Sequence, residues 1–331
     1  MSEPHTQGKA NPPPAQGMRL DWESMPADVR GAVEAWLGSP VVAVQSQLTG
    51  FSPGVAARLR TADGRGVFVK AASPHPNPGV PAIHRREAQI TALLPTTAPV
   101  PRLLWQYDDP ATGWVVLVFE LIDGHNPAQP WLPAELDRVL DALTALSASL
   151  TPSPLPPGTV GTLGAAFQTR LHGWRKFREE RPDLIAQLAP WLASHLDRLI
   201  QLEADAVAAV VGDTLLNFDV RADNILLTPD QVWFVDWPLA CTGAAWADVV
   251  FFAPSVTMQG GPLPEQIIAR SPTCRDADPA ALTAAVAAVA GFFVYNALLP
   301  APPGLPTLRA FQHAQGVVAE DWLRLRLAAE L

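Results

Sequence analysis

Near residue 122 the apolar residues stop recurring at alternate positions and begin recurring every third or fourth, which restricts the chain to a sheet-bearing unit followed by a helical one. In the first part, Val42 and Val44, then Val55, Ala57 and Leu59, then Val67 and Val69 show the alternation. The turn Asp63-Gly64-Arg65-Gly66 separates the last two runs, and a glycine-bearing loop, Gly50 to Gly54, separates the first two, so three antiparallel strands are predicted. Ahead of them, Trp22, Met25, Val29, Val33, Trp36 and Leu37 have helical spacing that Gly38 and Pro40 end. Behind them, a proline-rich loop at 74–81 leads to a predicted helix over 83–94, carrying Glu87, Ile90, Leu93 and Leu94, and to strands over 102–107 and 114–121.

After Asp123-Gly124 the clearest segments are amphipathic helices over 133–150 and 191–211. Apolar β-like runs return only at 224–227 and 232–235, on either side of the turn Thr228-Pro229-Asp230. The chain therefore reads as α+β. A tail at 1–17, with Pro12-Pro13-Pro14 and too few apolar residues to offset ordering, is expected to be disordered; a sheet-rich unit spans 18–122 and a helical one 123–331.

Length and composition narrow the function. With 331 residues, of which 48% are hydrophobic, the chain can bury a large core, which excludes wholesale disorder. A net charge of −9 argues against a nucleic-acid backbone as the main ligand, since that needs a basic face. Residues 1–122 hold ten basic and ten acidic side chains, so the remaining 13 and 22 place the whole acidic excess in the second part. Either that part holds metal ligands and a cationic substrate, or its helices have acidic solvated faces. No uninterrupted apolar run with flanking basic residues suggests a membrane span, and the start lacks the charged-then-apolar order of a secretory signal. Cys241 and Cys274 are too few for a disulfide framework and read as free thiols, for which a reducing cytosol is the simpler home.

The chemistry-bearing segment is Asn217-Phe218-Asp219-Val220-Arg221-Ala222-Asp223-Asn224, followed by an apolar hairpin and Phe234-Val235-Asp236-Trp237. Phosphoryl transfer needs a carboxylate to accept the proton of an attacking hydroxyl, and an amide oxygen with a second carboxylate to hold Mg²⁺. A hairpin between Asn224 and Asp236 would return both to one end.

Here the chain resembles the aminoglycoside phosphotransferase and choline kinase superfamily, whose catalytic loop reads His-x-Asp-x-x-x-x-Asn and whose metal aspartate follows a hairpin. Asp219 and Asn224 match the loop, Asp236 the metal aspartate, and Asp248, twelve residues on, the aspartate of the family's Asp-Leu-Ala stretch. The family histidine is replaced by Asn217, an amide that also donates and accepts hydrogen bonds. The resemblance covers about residues 41–255. It implies a bilobal protein-kinase-like fold and ATP with Mg²⁺ as cofactors, with Asp219 catalytic and Asn224 and Asp236 on the metal.

It also implies where ATP sits. Lys70, ending the third strand, would reach the α- and β-phosphates, and Glu87 on the following helix would hold it. The loop containing Gly50, Phe51, Ser52 and Gly54 would cover the phosphates with its N–H groups, although Pro53 removes one donor and the pattern is not Gly-x-Gly-x-x-Gly. Glu120 and Leu121 would offer a carbonyl and an amide to adenine. The implied activity is transfer of a phosphoryl group to a hydroxyl of a small polar molecule, first an aminoglycoside or related antibiotic, with choline-like, macrolide and nucleoside acceptors as alternatives. A nucleotide-binding pseudokinase, suggested by Asn217 and the irregular loop, is the reading of a different class. The tryptophans and the basic stretch from Arg170 to Arg181 read as core fillers and a solvated face, the latter with contact to an anionic substrate or product as its alternative.

Overall fold

A computed structural model of the chain describes residues 13–51, 53–75 and 77–329. Helix α1 (Ala27–Leu37) precedes strands β1 (Val41–Ser46), β2 (Val55–Thr61) and β3 (Gly66–Ala72); helix α2 (Val80–Thr91) then leads to β4 (Leu103–Asp108) and β5 (Val115–Glu120). The five strands form one antiparallel sheet in the order β1-β2-β3-β5-β4. Alternation along β5 explains how the sheet is covered on both faces. Val116 and Val118 join Val29, Val33 and Leu37 of α1, whereas Val115, Leu117 and Phe119 face Ala88 of α2. Gly38, at φ 70°, ends α1 by donating its N–H to the carbonyls of Glu34 and Ala35, a closure that a side chain would strain.

Helix α2 begins at Val80, three residues ahead of the expected start, because Pro81 falls in the first turn, where its missing N–H has no helical partner to lose. It ends at Thr91, so Leu93 and Leu94 lie beyond it.

The helical part contains α3 (Pro133–Ser149), α4 (Leu163–Thr169), α5 (Trp174–Glu179), α6 (Pro190–Ser194) and α7 (Leu196–Ala209). Four short strands follow, β6 (Thr214–Leu216), β7 (Ile225–Leu227), β8 (Val232–Phe234) and β9 (Cys241–Gly243), and then α8 (Ala247–Met258), α9 (Pro264–Ile268), α10 (Pro272–Arg275), α11 (Pro279–Ala297) and α12 (Leu308–Ala328). The single helix expected over 191–211 is broken at His195, whose ring stacks on Trp191 at 4.4 Å while its Nδ1 lies 2.8 Å from the Trp191 carbonyl. Strands β7 and β8 form the expected hairpin, but β6 pairs with β9 as well. Three-residue strands whose partners lie far along the chain leave no periodicity to read, which is why that second pairing is absent from the sequence reading.

Among the described residues, α11 is the one helix long and apolar enough to cross a membrane by length and composition; most of it is buried, against α7 and α12. Both cysteines are buried and free. The basic stretch is a surface, with Arg175, Arg178 and Arg181 each 40% exposed or more and paired with Glu179, Asp197 and Asp183.

Residues 15–19, placed in or beside the disordered tail by their composition, are hydrogen-bonded instead. They run along the loop between β1 and β2, with parallel bridges from Gln16 to Gly50 and from Arg19 to Gly54. Their other edge meets the segment before α12, where Met18 donates to the Gly304 carbonyl at 2.7 Å. Pairing on both edges, rather than burial of apolar side chains, orders this segment. Residues 1–12 lie outside the described residues.

Candidate active site

The site lies where the sheet meets the β6–β9 region. Lys70 projects from β3, whose neighbours β2 and β5 hold its backbone on both sides. Its Nζ lies 2.6 Å from Oε1 of Glu87 on α2 and 3.0 Å from Oδ1 of Asp236, which follows β8. Burial opposes the lysine charge, but the carboxylates of Asp236 and Glu87 outweigh it and hold the ammonium above its ordinary range. Asp236 has φ 66°, an uncommon conformation for a side-chain-bearing residue, and the backbone there is turned so that the carboxylate meets Lys70. His84, buried beside this pair on α2, is pushed down to about 4 by burial and then by the Lys70 charge, so it is neutral at neutral pH.

The segment after β6 is held at three points. The Asp248 carboxylate, at the start of α8, accepts the backbone N–H groups of Asn217 and Phe218, each at 2.9 Å. Phe218, at φ 63°, turns the chain so that both N–H groups face that carboxylate. Asn217, 1% exposed, donates its Nδ2 to the Asp236 carbonyl at 3.2 Å and accepts the Asp219 N–H on Oδ1 at 3.0 Å. The residue standing at the family-histidine position therefore ties the loop to the turn that bears Asp236.

Asn224 donates its Nδ2 to the carbonyl and to Oδ2 of Asp219, at 2.9 and 3.1 Å, which leaves its amide oxygen as the atom offered to a cation. That oxygen and the Asp236 carboxylate are hard oxygen donors at one cleft, a set that suits Mg²⁺. Burial, followed by the charges of Asp236 and Asp223 working against Arg221, raises the Asp219 carboxyl to about 7. A carboxylate balanced near neutrality is suited to accepting a proton from a hydroxyl.

Gly50, Lys70, Glu87, Glu120, Leu121, Asn224 and Asp236 all line one cleft. Asp219 borders it through Asn224. Phe51 and Gly54 do not line it: Phe51 packs edge-on against Phe311 of α12 at 5.1 Å, and Gly54 lies against Ala71 of β3. Ser52 lies outside the described residues. The N–H groups expected of the loop glycines as phosphate donors have other partners. The Gly50 N–H donates to the Ala15 carbonyl at 2.8 Å and the Gly54 N–H to the Met18 carbonyl at 3.2 Å, so neither faces the cleft as a phosphate donor. At the edge of the cleft the Glu120 N–H is taken by the Arg102 carbonyl at 3.0 Å.

Sequence reasoning passed over three residues. Arg221 donates Nη1 to Asp219 at 2.9 Å and grips Asp223 with Nε and Nη2 at 3.0 and 2.8 Å, under the rings of Phe51 and Phe311. Its position two residues from each aspartate was the available signal. Asn126 donates among the carbonyls of Ala222, Asp223 and Ile225, pinning the loop from the start of the helical part. Arg19 enters the cleft from the N-terminal segment, without any local pattern to announce it.

The model of the phosphotransferase enzyme family matches residues 48–285. No curated protein matches the chain significantly. Among solved structures, a thermostable mutant of aminoglycoside phosphotransferase APH(4)-Ia, in ternary complex with AMP-PNP and hygromycin B, is similar with a TM-score of 0.60 and 16% identity, covering 90% of this chain and 98% of that one. A choline/ethanolamine kinase family protein from Mesorhizobium loti is similar with a TM-score of 0.58 and 18% identity, over 91% and 97%. A putative fructosamine-3-kinase from Thermobifida fusca has a TM-score of 0.56 and 18% identity, over 88% and 98%. The antiparallel sheet followed by the helical part is thus the protein-kinase-like fold, and the chain belongs to the phosphotransferase enzyme family.

Proposed function

We propose that this protein transfers the γ-phosphoryl group of ATP to a hydroxyl of a small polar molecule, with aminoglycosides and related hydroxylated antibiotics as the first acceptors to test. The observation that supports this reading is the reach of Lys70 to both Glu87 and Asp236, which brings an ammonium and two carboxylates together at one cleft, Lys70 and Asp236 being 166 positions apart. Lys70 would hold the α- and β-phosphates, and the backbone at 120–122 would receive adenine. Asn224 and Asp236 would hold Mg²⁺, which when bound offsets the negative charge of the phosphates. Asp219 would orient the acceptor hydroxyl and take its proton as the hydroxyl oxygen bonds to phosphorus and the bond to ADP breaks. Pairing with Arg221 fixes the direction of that carboxylate.

The test is incubation with Mg²⁺-ATP and a panel of hydroxylated amines, read by mass spectrometry for one added phosphate. Asp219→Ala should slow turnover by about 10²- to 10⁴-fold while ATP binding persists. Unchanged turnover in that variant removes the mechanism. Binding of ATP with no product across the panel, and no slow hydrolysis, favours a sensor.

A further inference from the structure

In the loop joining β1 and β2, two of the backbone donors expected to face phosphates are already taken. The loop contains no lysine or arginine, Pro53 has no N–H, and the N–H groups of Gly50 and Gly54 are committed to the Ala15 and Met18 carbonyls. The positive charge that the loop lacks is supplied by the segment paired with it. Residues 15–20 form a strap with two hydrogen-bonded edges. Toward the loop, Gly17 donates to the Gly50 carbonyl at 2.8 Å and Leu20 to the Gly54 carbonyl at 3.0 Å. Toward the helical part, Met18 donates to Gly304, while the Thr307 hydroxyl accepts the Gln16 N–H at 3.3 Å and donates to the Gln16 carbonyl at 2.9 Å.

Within this strap Arg19 turns into the cleft. Its Nη2 donates to the Thr49 carbonyl, and its side chain lines the same cleft as Lys70 and Asp236. A Cβ added to Gly50 would fall 2.7 Å from Arg19 Nη2 and 3.9 Å from Asp223 Oδ2, so the guanidinium passes over Gly50 beside that carboxylate. Glycine is needed at 50 on two counts, its φ of 97° and this passage. Burial lowers the Arg19 pKa, and Asp236 and Asp223 act against that fall. A planar guanidinium lining the same cleft as Lys70, and interacting with the charges of Asp236 and Asp223, is a suitable group for a nucleotide phosphate.

We propose that Arg19 is a phosphate-binding residue of the nucleotide site, delivered by the 15–20 strap in place of the loop amides that the strap itself occupies. The proposal rests on the reading of the cleft as a nucleotide site. It assigns the strap a function as well, because the same hydrogen bonds that position Arg19 join the phosphate-side loop to the segment before α12.

The test is calorimetric titration of the full chain with Mg²⁺-ADP, Mg²⁺-AMP-PNP and adenosine. Arg19→Met should weaken both phosphorylated nucleotides by about tenfold to a hundredfold, the range for one lost charge-assisted hydrogen bond, and leave adenosine affinity unchanged. Thr307→Val, which loosens the strap without altering its charge, should weaken the same two ligands by a smaller factor, and Arg19→Lys should restore part of the loss. Equal affinity of parent and Arg19→Met for ADP overturns the proposal and leaves the kinase reading intact. Tighter binding by the variant also overturns it, since the guanidinium would then be an occupant that nucleotide must displace. An equal loss for adenosine overturns it as well, by showing general damage to the cleft. Absence of binding of any of the three ligands by the parent chain defeats the nucleotide reading and this proposal together.

Discussion

Replacing Asp248 by Asn changes one oxygen to an amide nitrogen at the point where the Asp219-bearing loop is anchored. The carboxylate accepts two backbone N–H groups, from Asn217 and Phe218, at 2.9 Å each, and the residue is 8% exposed. An amide has a single acceptor oxygen, so one of the two N–H groups would face an NH₂ group in a site with little access to water. A hydrogen bond to a charged acceptor contributes about 1.5–3 kcal/mol, and an unsatisfied buried donor costs about 1–3 kcal/mol, so Asp248→Asn should destabilise the protein by about 2–4 kcal/mol. Burial raises this carboxyl to about 6, so the measurement belongs near pH 8, where the parent is ionised. With a urea dependence of about 3 kcal/mol per molar, the unfolding midpoint should fall by about 1 M. Phe218, held at φ 63° by this contact, should relax at the same time, and Asp219 should move with it, lowering turnover. A midpoint within about 0.2 M of the parent would show that the loop does not depend on this carboxylate, and the account of how Asp219 is positioned would fail.

Three further outcomes follow from particular contacts. Glu87→Gln removes the charge that holds Lys70 toward α2, and should weaken binding of an ATP analogue by about tenfold in a calorimetric titration, with unchanged affinity counting against the pairing. His84 has a folded pKa of about 4 against an ordinary 6.5, so the unfolded chain binds the extra proton first and stability is lost as pH falls through that window, by up to about 3 kcal/mol; in His84→Leu that part of the pH profile should flatten, and parallel profiles would refute it. Gly173→Ala would place a Cβ 1.9 Å from the Gly291 carbonyl oxygen of α11, and should cost more than about 3 kcal/mol in urea unfolding by forcing α5 away from α11.

Much of this architecture was legible because its determinants are local. Alternation in β1 to β5 and helical spacing in α1 depend on residues a few positions apart, and the five-residue interval from Asp219 to Asn224 is part of one loop. The 17-residue interval from Lys70 to Glu87 is legible for a related reason, since one strand and the helix after it form a single supersecondary unit. Local spacing misled where competing contacts came from afar. The glycines between β1 and β2 suggested free amides because nothing nearby indicated that residues 15–18 would occupy them. Composition made the same segment resemble a tail, and only its two hydrogen-bonded edges, one of them to Gly304 and Thr307, hold it in place.

The chain's own order of residues determined which side chains could do phosphate chemistry and on which elements they would stand. Tertiary structure decided how they are balanced: that Asn217 bonds to the Asp236 carbonyl, that Arg221 lies between Asp219 and Asp223 beneath two rings, and that Arg19 enters the cleft. The physical reason is that spacing along a strand, helix or loop follows from backbone geometry, whereas a hydrogen bond or ion pair between distant segments depends on how whole faces pack, which no short window of sequence contains.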